Sequence, residues 1–96
     1  MRRDDALRIL AEHKDEIARY GVKSLVIFGS VARNEARPDS DVDILVEFAV
    51  PVGAFKFSAL KEYLETLLGS PVDLVPRESV KPRLRDRILE EAINAA

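Results

Sequence analysis

Two short segments rich in β-branched and apolar residues, 22–28 and 41–48, stand close together in the chain, with only residues 29–40 between them. Residues of these types favour strands. The second segment alternates between two faces, Val42, Ile44, Val46 and Phe48 on one and Asp41, Asp43, Leu45 and Glu47 on the other. Because the connection between the two strands is short, we expect a mixed sheet.

The rest of the chain predicts helices around these strands. Apolar stripes of helical period predict them over 4–20, 31–36, 55–68 and 82–94. We expect Asp4 or Asp5 to cap the first helix and Gly69 to end the third. Residues 71–75 predict a third strand, stopped by Pro76. The order predicts an α/β (α+β) fold, a small mixed β-sheet of three or more strands packed by helices.

Composition sets the class of protein. A chain of 96 residues predicts a single domain, 1–96, and 47% hydrophobic with 33% charged residues is typical of a soluble globular chain. A net charge of −2 argues against broad electrostatic capture of nucleic acid. The apolar runs are far shorter than the roughly 20 residues that span a bilayer. With no cysteine and no visible signal peptide, we expect no disulfide, no thiolate metal site, no membrane and a cytoplasmic protein.

Three carboxylates fall on predicted strands. Asp41 and Asp43 are two residues apart, so both side chains leave the same face with Cβ atoms roughly 6.6 Å apart. Two such charges disfavour joint ionisation, and a divalent cation with oxygen ligands relieves that repulsion. Asp73 lies in the third strand, between two apolar residues that point the other way. If that strand pairs with the second, the three acids form the cluster that a two-metal phosphoryl-transfer site requires.

A candidate phosphate site follows the first strand. Gly29 lets a ligand approach the backbone, while Ser30 and the N–H groups of the next turn can donate to a phosphate. Arg33 and Arg37 can contact a triphosphate. Each feature alone has an ordinary interpretation: a simple turn, a capping aspartate, solvated arginines, or an edge-strand charge at Asp73. Their joint arrangement in register is what indicates a site.

The motif also resembles a known signature. Gly-Ser-Val-Ala-Arg at 29–33 and Arg-Pro-Asp-Ser-Asp-Val-Asp-Ile-Leu-Val at 37–46 resemble that of the DNA polymerase beta-like nucleotidyltransferase superfamily, and within it the minimal nucleotidyltransferase (MNT) group of antitoxin-like proteins. The resemblance extends to Gly-Ser-Pro-Val-Asp-Leu-Val at 69–75. It implies that Gly29 and Ser30 hold nucleotide phosphates, and that Asp41, Asp43 and Asp73 bind two Mg²⁺ ions, with Asp73 also a candidate base. Asn34 stands where members of the group usually have glycine.

The resemblance implies nucleotidyl transfer, in which a hydroxyl attacks the α-phosphorus of ATP and pyrophosphate leaves. The implied partner is a HEPN-domain toxin, neutralised by AMP transfer to a tyrosine, by complex formation, or by both. A non-catalytic antitoxin is the alternative, and transfer to a small molecule such as an aminoglycoside is a weaker one. Homo- or hetero-oligomers fit either interpretation. His13, the one histidine, is expected to be structural or at the surface.

Two further segments suggest a protein partner. Helix 55–68 carries apolar residues beyond one stripe, namely Phe55, Ala59, Tyr63 and Leu68. Either a thin core uses them all or some remain for a partner. Lys81, Arg83, Arg85 and Arg87 form a local basic run, which is either a docking or phosphate-facing surface or a solvated helix face.

Overall fold

Four strands form one mixed sheet in the order β3–β2–β1–β4 in the computed structural model, which describes residues 1–95 except for the side chains of residues 91 and 94. The strands are β1 Val22–Phe28, β2 Val42–Phe48, β3 Val72–Pro76 and β4 Ile93–Asn94. β1 pairs antiparallel with β2 and β4, and β2 pairs parallel with β3. The predicted mixed sheet is therefore confirmed.

Helices pack against both faces of this sheet. They are α1 Arg3–Glu12, α2 Lys14–Ala18, α3 Gly29–Ala32, α4 Ala54–Leu68 and α5 Pro82–Glu91, and a 3₁₀ turn spans Arg77–Ser79. Of these, α1, α2 and α4 cover one face. Apolar side chains of α1, α2 and α4 pack with those of the strands in one core, which includes Leu10, Ile17, Leu60, Leu64, Ile27, Ile44 and Leu74. Leu68, one of the additional apolar residues of this helix, is also buried in the core. Gly69 ends α4 in the left-handed conformation, as expected.

The opposite face of the sheet carries the acids and a thinner second layer. Leu45 is buried on this face although it lies outside the main core. Glu47, two residues further along β2, accepts hydrogen bonds from the Ser24 hydroxyl at 3.4 Å and the Arg77 guanidinium at 3.2 Å. α5 contacts α3 and β1, and Arg85 of α5 lines a 340 Å³ cavity with Glu47 and Arg77. α5 thus belongs to the acid-bearing side.

The first predicted helix is wrong as a single element, because it breaks at His13. This residue has φ −114° and ψ 20°, and its ring Nδ1 lies 2.8 Å from the carbonyl oxygen of Ile9. The expected cap is also wrong: Arg2 is the N-cap, with no side-chain capping bond. Asp4 and Asp5 lie in the first turn instead, where their charges still favour the helix dipole.

The last predicted helix, 82–94, is wrong at its C-terminal end. α5 ends at Glu91, and residues 93 and 94 form β4 beside β1. Ile93 pairs with Ile27, and the Ala95 N–H donates to the Leu25 carbonyl at 2.9 Å. This pairing satisfies backbone groups along the edge of β1, which helical residues would have left open. α5 buries little apolar surface, and Leu84 in its first turn is 51% exposed.

The remaining differences are small shifts of element ends. β2 begins at Val42, α3 occupies 29–32 instead of 31–36, and Pro76 is the last residue of β3 opposite Val46. In the basic run, Lys81, Arg83 and Arg87 are exposed, while half-buried Arg85 donates to the Val80 carbonyl. No helix within residues 1–95 has the length and apolar character needed to cross a membrane.

Candidate active site

The turn after β1 brings the backbone against a carboxylate. β1 ends at Phe28 and α3 begins at the next residue, Gly29, whose φ is +71°. A Cβ on this glycine would overlap Asp43 Oδ2 and lie 3.1 Å from its Cγ. Left-handed backbone and close approach both require glycine here. The turn and the acid therefore form one packed unit.

The paired acids come from neighbouring strands. In the parallel ladder between β2 and β3, Asp43 is the direct partner of Asp73, so both side chains leave the same face. Strands in a sheet lie about 4.8 Å apart, which places the two residues side by side. Asp41 is exposed and immediately precedes β2. The structure thus brings together Gly29, Asp43 and Asp73, with Asp41 at the adjoining end of the strand.

Electrostatics link all three acids. Burial raises the pKa of Asp43 above its ordinary value, and the charges of Asp73 and then Asp41 raise it further. The Arg33 guanidinium opposes them and lowers the pKa of the same carboxyl. The fold therefore disfavours the ionised form of Asp43, and added positive charge would stabilise that form.

Ser30 and Arg33 lie beside this cluster on the short helix α3 and directly after it. Ser30 is half-buried, and its carbonyl accepts a hydrogen bond from the Glu35 N–H at 2.8 Å. Arg33 bonds to the Glu35 carboxylate through Nε at 3.2 Å while its charge acts on Asp43. Ser30 directly follows Gly29, whose backbone lies against Asp43, and the positive charge of Arg33 acts on the Asp43 carboxyl. Both predicted phosphate contacts are therefore near Asp43.

Arg37 lies further away along the loop to β2. Its side chain is exposed, and its backbone N–H donates to the Ser40 hydroxyl at 3.0 Å within the expected turn. No residue in the described part of the chain pairs with its guanidinium. The structure therefore does not join the Arg37 side chain to the acid cluster.

One anchor of this loop was not predicted. Asn34 has φ +59°, and its side-chain oxygen accepts a hydrogen bond from the Arg3 backbone N–H at 3.3 Å. The Arg3 guanidinium also donates to the Ala32 carbonyl at the end of α3, at 3.4 Å. The contacts span about thirty residues of sequence, so no local pattern signals them. They tie the start of α1 to the turn that carries Ser30 and Arg33.

The acids fit a hard divalent cation by donor chemistry, although they do not close around one. Within residues 1–95, no group of three or more His, Asp or Glu side chains is gathered tightly enough to hold a metal ion. Like-charged carboxylates without a cation between them repel each other, which keeps such a cluster open. The donors are carboxylate oxygens, the ligands that Mg²⁺ prefers, and the carboxylate of Asp43 lies directly against the backbone of Gly29.

A separate groove lies beside the β2–α4 loop. It has a volume of about 590 Å³ and is lined by residues of that loop, by Phe48 at the end of β2, Phe57 of α4 and Pro76 of β3, and by Glu78. None of the three acids lines it. Cavity size alone does not locate the candidate site, which is defined by strand register and charge.

The comparisons with known proteins agree with this geometry. The family model for the nucleotidyltransferase domain matches residues 10–94, which include the glycine turn and all three acids. The chain belongs to the nucleotidyltransferase family. The prediction made from the motif at 29–46 is therefore confirmed, and the chain is a member of an enzyme family.

Among its relatives is the protein adenylyltransferase MntA of Thermococcus cleftensis, 48% identical over 86 residues, which cover 88% of this chain and 87% of the relative. A solved structure described as a "putative minimal nucleotidyltransferase" has a TM-score of 0.85 at 41% identity and covers 97% of this chain and 95% of its own. These likenesses confirm the resemblance to the MNT group.

A more distant structure shares the fold alone. It is a chain of the complex between a tri-AMPylated HEPN toxin of Shewanella oneidensis and its MNT antitoxin, with a TM-score of 0.65 at 20% identity. The match covers 94% of this chain and 71% of that one. The sheet and its helices are thus shared with a chain of this complex.

Proposed function

We propose that this chain is a Mg²⁺-dependent protein adenylyltransferase that transfers AMP from ATP to a tyrosine of a HEPN-domain toxin and so acts as its antitoxin. The observation that carries the proposal is the register of Asp43 beside Asp73, next to the tight turn at Gly29. The name of the Thermococcus relative and the AMPylated toxin in the Shewanella complex support it.

In this proposal each residue of the site has a separate task. Gly29 and Ser30 hold the phosphates of the nucleotide, and Arg33 and Arg37 contribute positive charge towards the triphosphate. Asp41, Asp43 and Asp73 hold the metal. When bound, Mg²⁺ supplies the charge that lowers the pKa of an attacking hydroxyl and stabilises the leaving pyrophosphate.

The acceptor side of the reaction falls to Asp73. Its side chain is exposed, whereas Asp43 is half-buried, so an incoming hydroxyl meets Asp73 first. We assign Asp73 the proton of the acceptor hydroxyl. The tyrosine oxygen then forms a bond to the α-phosphorus, the bond from that phosphorus to the bridging oxygen breaks, and pyrophosphate leaves.

Label transfer tests this proposal. ATP labelled at the α-phosphate is incubated with Mg²⁺, the chain and the candidate HEPN-domain partner, and label on that protein is measured. We expect transfer by the wild type, and a loss of at least about a hundredfold in Asp43→Asn and Asp41→Ala, because several kcal/mol of charge stabilisation disappear. Asp15→Asn, an exposed acid of α2, is the matched control and should keep full activity.

Two outcomes would contradict the proposal. If the partner is neutralised with no label transferred, the chain acts as a binding antitoxin. If Asp43→Asn transfers label as well as wild type, the acids do not form the site. Mass spectrometry of the labelled partner identifies the modified side chain, which we expect to be a tyrosine.

A further inference from the structure

An open groove lies between α2 and the first turns of α4. It has a volume of about 580 Å³ and is lined by three aromatic residues, Tyr20, Tyr63 and Phe55, with Arg19 and Lys56 beside them. We call it the aromatic groove. None of its lining residues belongs to the acid site or its glycine turn.

Two tyrosines form a fixed wall of the groove. The rings of Tyr20 and Tyr63 stack with their centroids 5.2 Å apart and their planes at 26°. The Tyr63 hydroxyl donates a hydrogen bond to the Glu16 carboxylate. Both rings are half-buried against the core, so the wall is held in place by packing as well as by this bond. The groove is therefore a preformed surface.

Phe55 is exposed at the edge of the groove. Its side chain is 94% exposed, the largest exposure among the large apolar residues of the described chain. It lies in the first turn of α4, whose core contacts are made by Leu60, Leu64 and Leu68 instead. The fold thus gains nothing from a phenyl ring at this position. An exposed aromatic beside a preformed aromatic wall is typical of a recognition surface.

The charges of the groove indicate what it binds. Neither the guanidinium of Arg19 nor the ammonium of Lys56 has a hydrogen-bond or ion-pair partner among residues 1–95. The one acid in the lining, Glu16, is already engaged by Tyr63. Two unpaired cations beside aromatic surface favour a ligand that combines apolar side chains with carboxylates. A two-fold contact with a second copy of this chain would instead bring four like charges together.

The position of the groove separates it from the chemistry. α2 and α4 pack on the face of the sheet that carries Ile44 and Leu74, whereas Asp43 and Asp73 leave the opposite face. A ligand in the groove therefore leaves the acid site open. It also cannot be the segment whose hydroxyl is being modified.

We propose that the aromatic groove docks an acidic, apolar segment of the partner protein, distinct from the segment that carries the acceptor hydroxyl. The inference rests on the proposed function, since it assumes a protein partner. Binding through the groove holds the partner whether or not nucleotide is present. The chain then retains its partner after transfer is complete.

A pair of designed peptides tests the chemistry of the groove. Both are amphipathic helices with the same leucine and phenylalanine positions, one carrying only Asp and Glu elsewhere and the other only Lys and Arg. Each is titrated into ¹⁵N-labelled wild-type chain, and NMR shifts are followed. We expect the acidic peptide to bind and to shift the amides of Phe55, Ala59 and Tyr63, whereas the basic peptide does not.

Variants of the groove sharpen the result. Phe55→Ser should weaken binding of the acidic peptide at least about tenfold without loss of fold, since this side chain is exposed. The double variant Arg19→Glu with Lys56→Glu should reverse the preference between the peptides. Lys61→Glu, an exposed cation of α4 outside the groove lining, is the matched control and should bind like wild type.

Three results would overturn the inference. They are the absence of binding by either peptide at millimolar concentration, equal binding of both, or a homodimer in sedimentation that Phe55→Ser dissociates. The peptide assay contains no ATP, Mg²⁺ or acceptor. A failure of label transfer with normal peptide binding therefore counts against the proposed function alone, and the converse counts against the groove alone.

Discussion

At the scale of single residues, Gly29 is the position where backbone and site chemistry meet. Its φ of +71° already favours glycine, and the Asp43 carboxylate fills the space that a side chain would need. Gly69 offers a comparison, because its φ is +65° and nothing lies within 4 Å of an added Cβ. A side chain at Gly69 would therefore meet only the cost of left-handed backbone, whereas one at Gly29 would meet that cost and also overlap Asp43.

We predict that Gly29→Ala destabilises the fold more than Gly69→Ala. The second change should cost about 1–2 kcal/mol for left-handed backbone. The first should exceed it by about 1 kcal/mol or more, because the carboxylate must move aside. Urea unfolding of both variants measures the difference. Equal costs would show that Asp43 does not crowd this glycine.

Asp43 is expected to weaken the metal-free fold. Its pKa is raised in the folded state by burial, Asp73 and Asp41. The folded chain therefore holds this proton more tightly than the unfolded chain, and stability falls as pH rises through the folded pKa. Asp43→Asn should accordingly raise the metal-free melting temperature at neutral pH.

The same variant should lose any response to metal. Mg²⁺ should raise the melting temperature of the wild type, because it binds the folded state, and should shift Asp43→Asn much less. Melting curves with and without Mg²⁺ check this, with Asp15→Asn as the control. Equal shifts in all three proteins would contradict a metal site at these acids.

The phenol of Tyr63 should lose its proton at a higher pH than an ordinary tyrosine does. Partial burial and its hydrogen bond to Glu16 raise the pKa of Tyr63 to about 12. In the unfolded chain the pKa of a tyrosine is about 10. The raised pKa therefore contributes its full stabilisation of the fold below about pH 10, and this contribution is lost as pH rises through the pKa of the folded state. Ultraviolet titration of the phenol should show a late transition that disappears in Tyr63→Phe and moves lower in Glu16→Gln. A wild-type transition near the ordinary value would refute the contact.

At the scale of secondary-structure elements, the sequence predicts what depends on local pattern. β1 matches its predicted bounds, and α4 differs by one residue, because dense apolar periodicity marks both. β4 has only two residues and no period of its own, so its pairing with β1 depends on the finished sheet. The spacing of Asp41 and Asp43 is local in the same way, whereas the position of Asp73 depends on which strand β3 joins.

The Glu47–Arg77 pair should couple β2 to the segment after β3. Both side chains are partly buried, with Glu47 31% and Arg77 41% exposed. The distance between Arg77 Nη1 and Glu47 Oε1 is 3.2 Å. A double-mutant cycle with Glu47→Gln and Arg77→Met should give a coupling of about 0.5–1 kcal/mol. The more exposed Arg8–Glu12 pair of α1 is the control and should give less. A coupling no larger than the control would show that the pair does not join the strands.

At the scale of the whole molecule, the described chain is a slab of 32 × 31 × 20 Å with different chemistry on its two sides. One side presents carboxylates and the glycine turn, and the other presents aromatic rings and unpaired cations. The acid side was predictable from its motif. The aromatic groove was predictable only in part, since the sequence shows the additional apolar residues of α4. The exposure of Phe55 and the stacking of Tyr20 on Tyr63 depend on the tertiary structure.

A crystal structure of the chain with Mg²⁺ and a non-hydrolysable ATP analogue would show directly whether the acids and the glycine turn form one site. We expect Mg²⁺ held by oxygens of Asp41 and Asp43, with Asp73 beside it and the triphosphate against Gly29 and Ser30. A nucleotide bound elsewhere, or one bound at the turn without metal at these acids, would contradict this expectation.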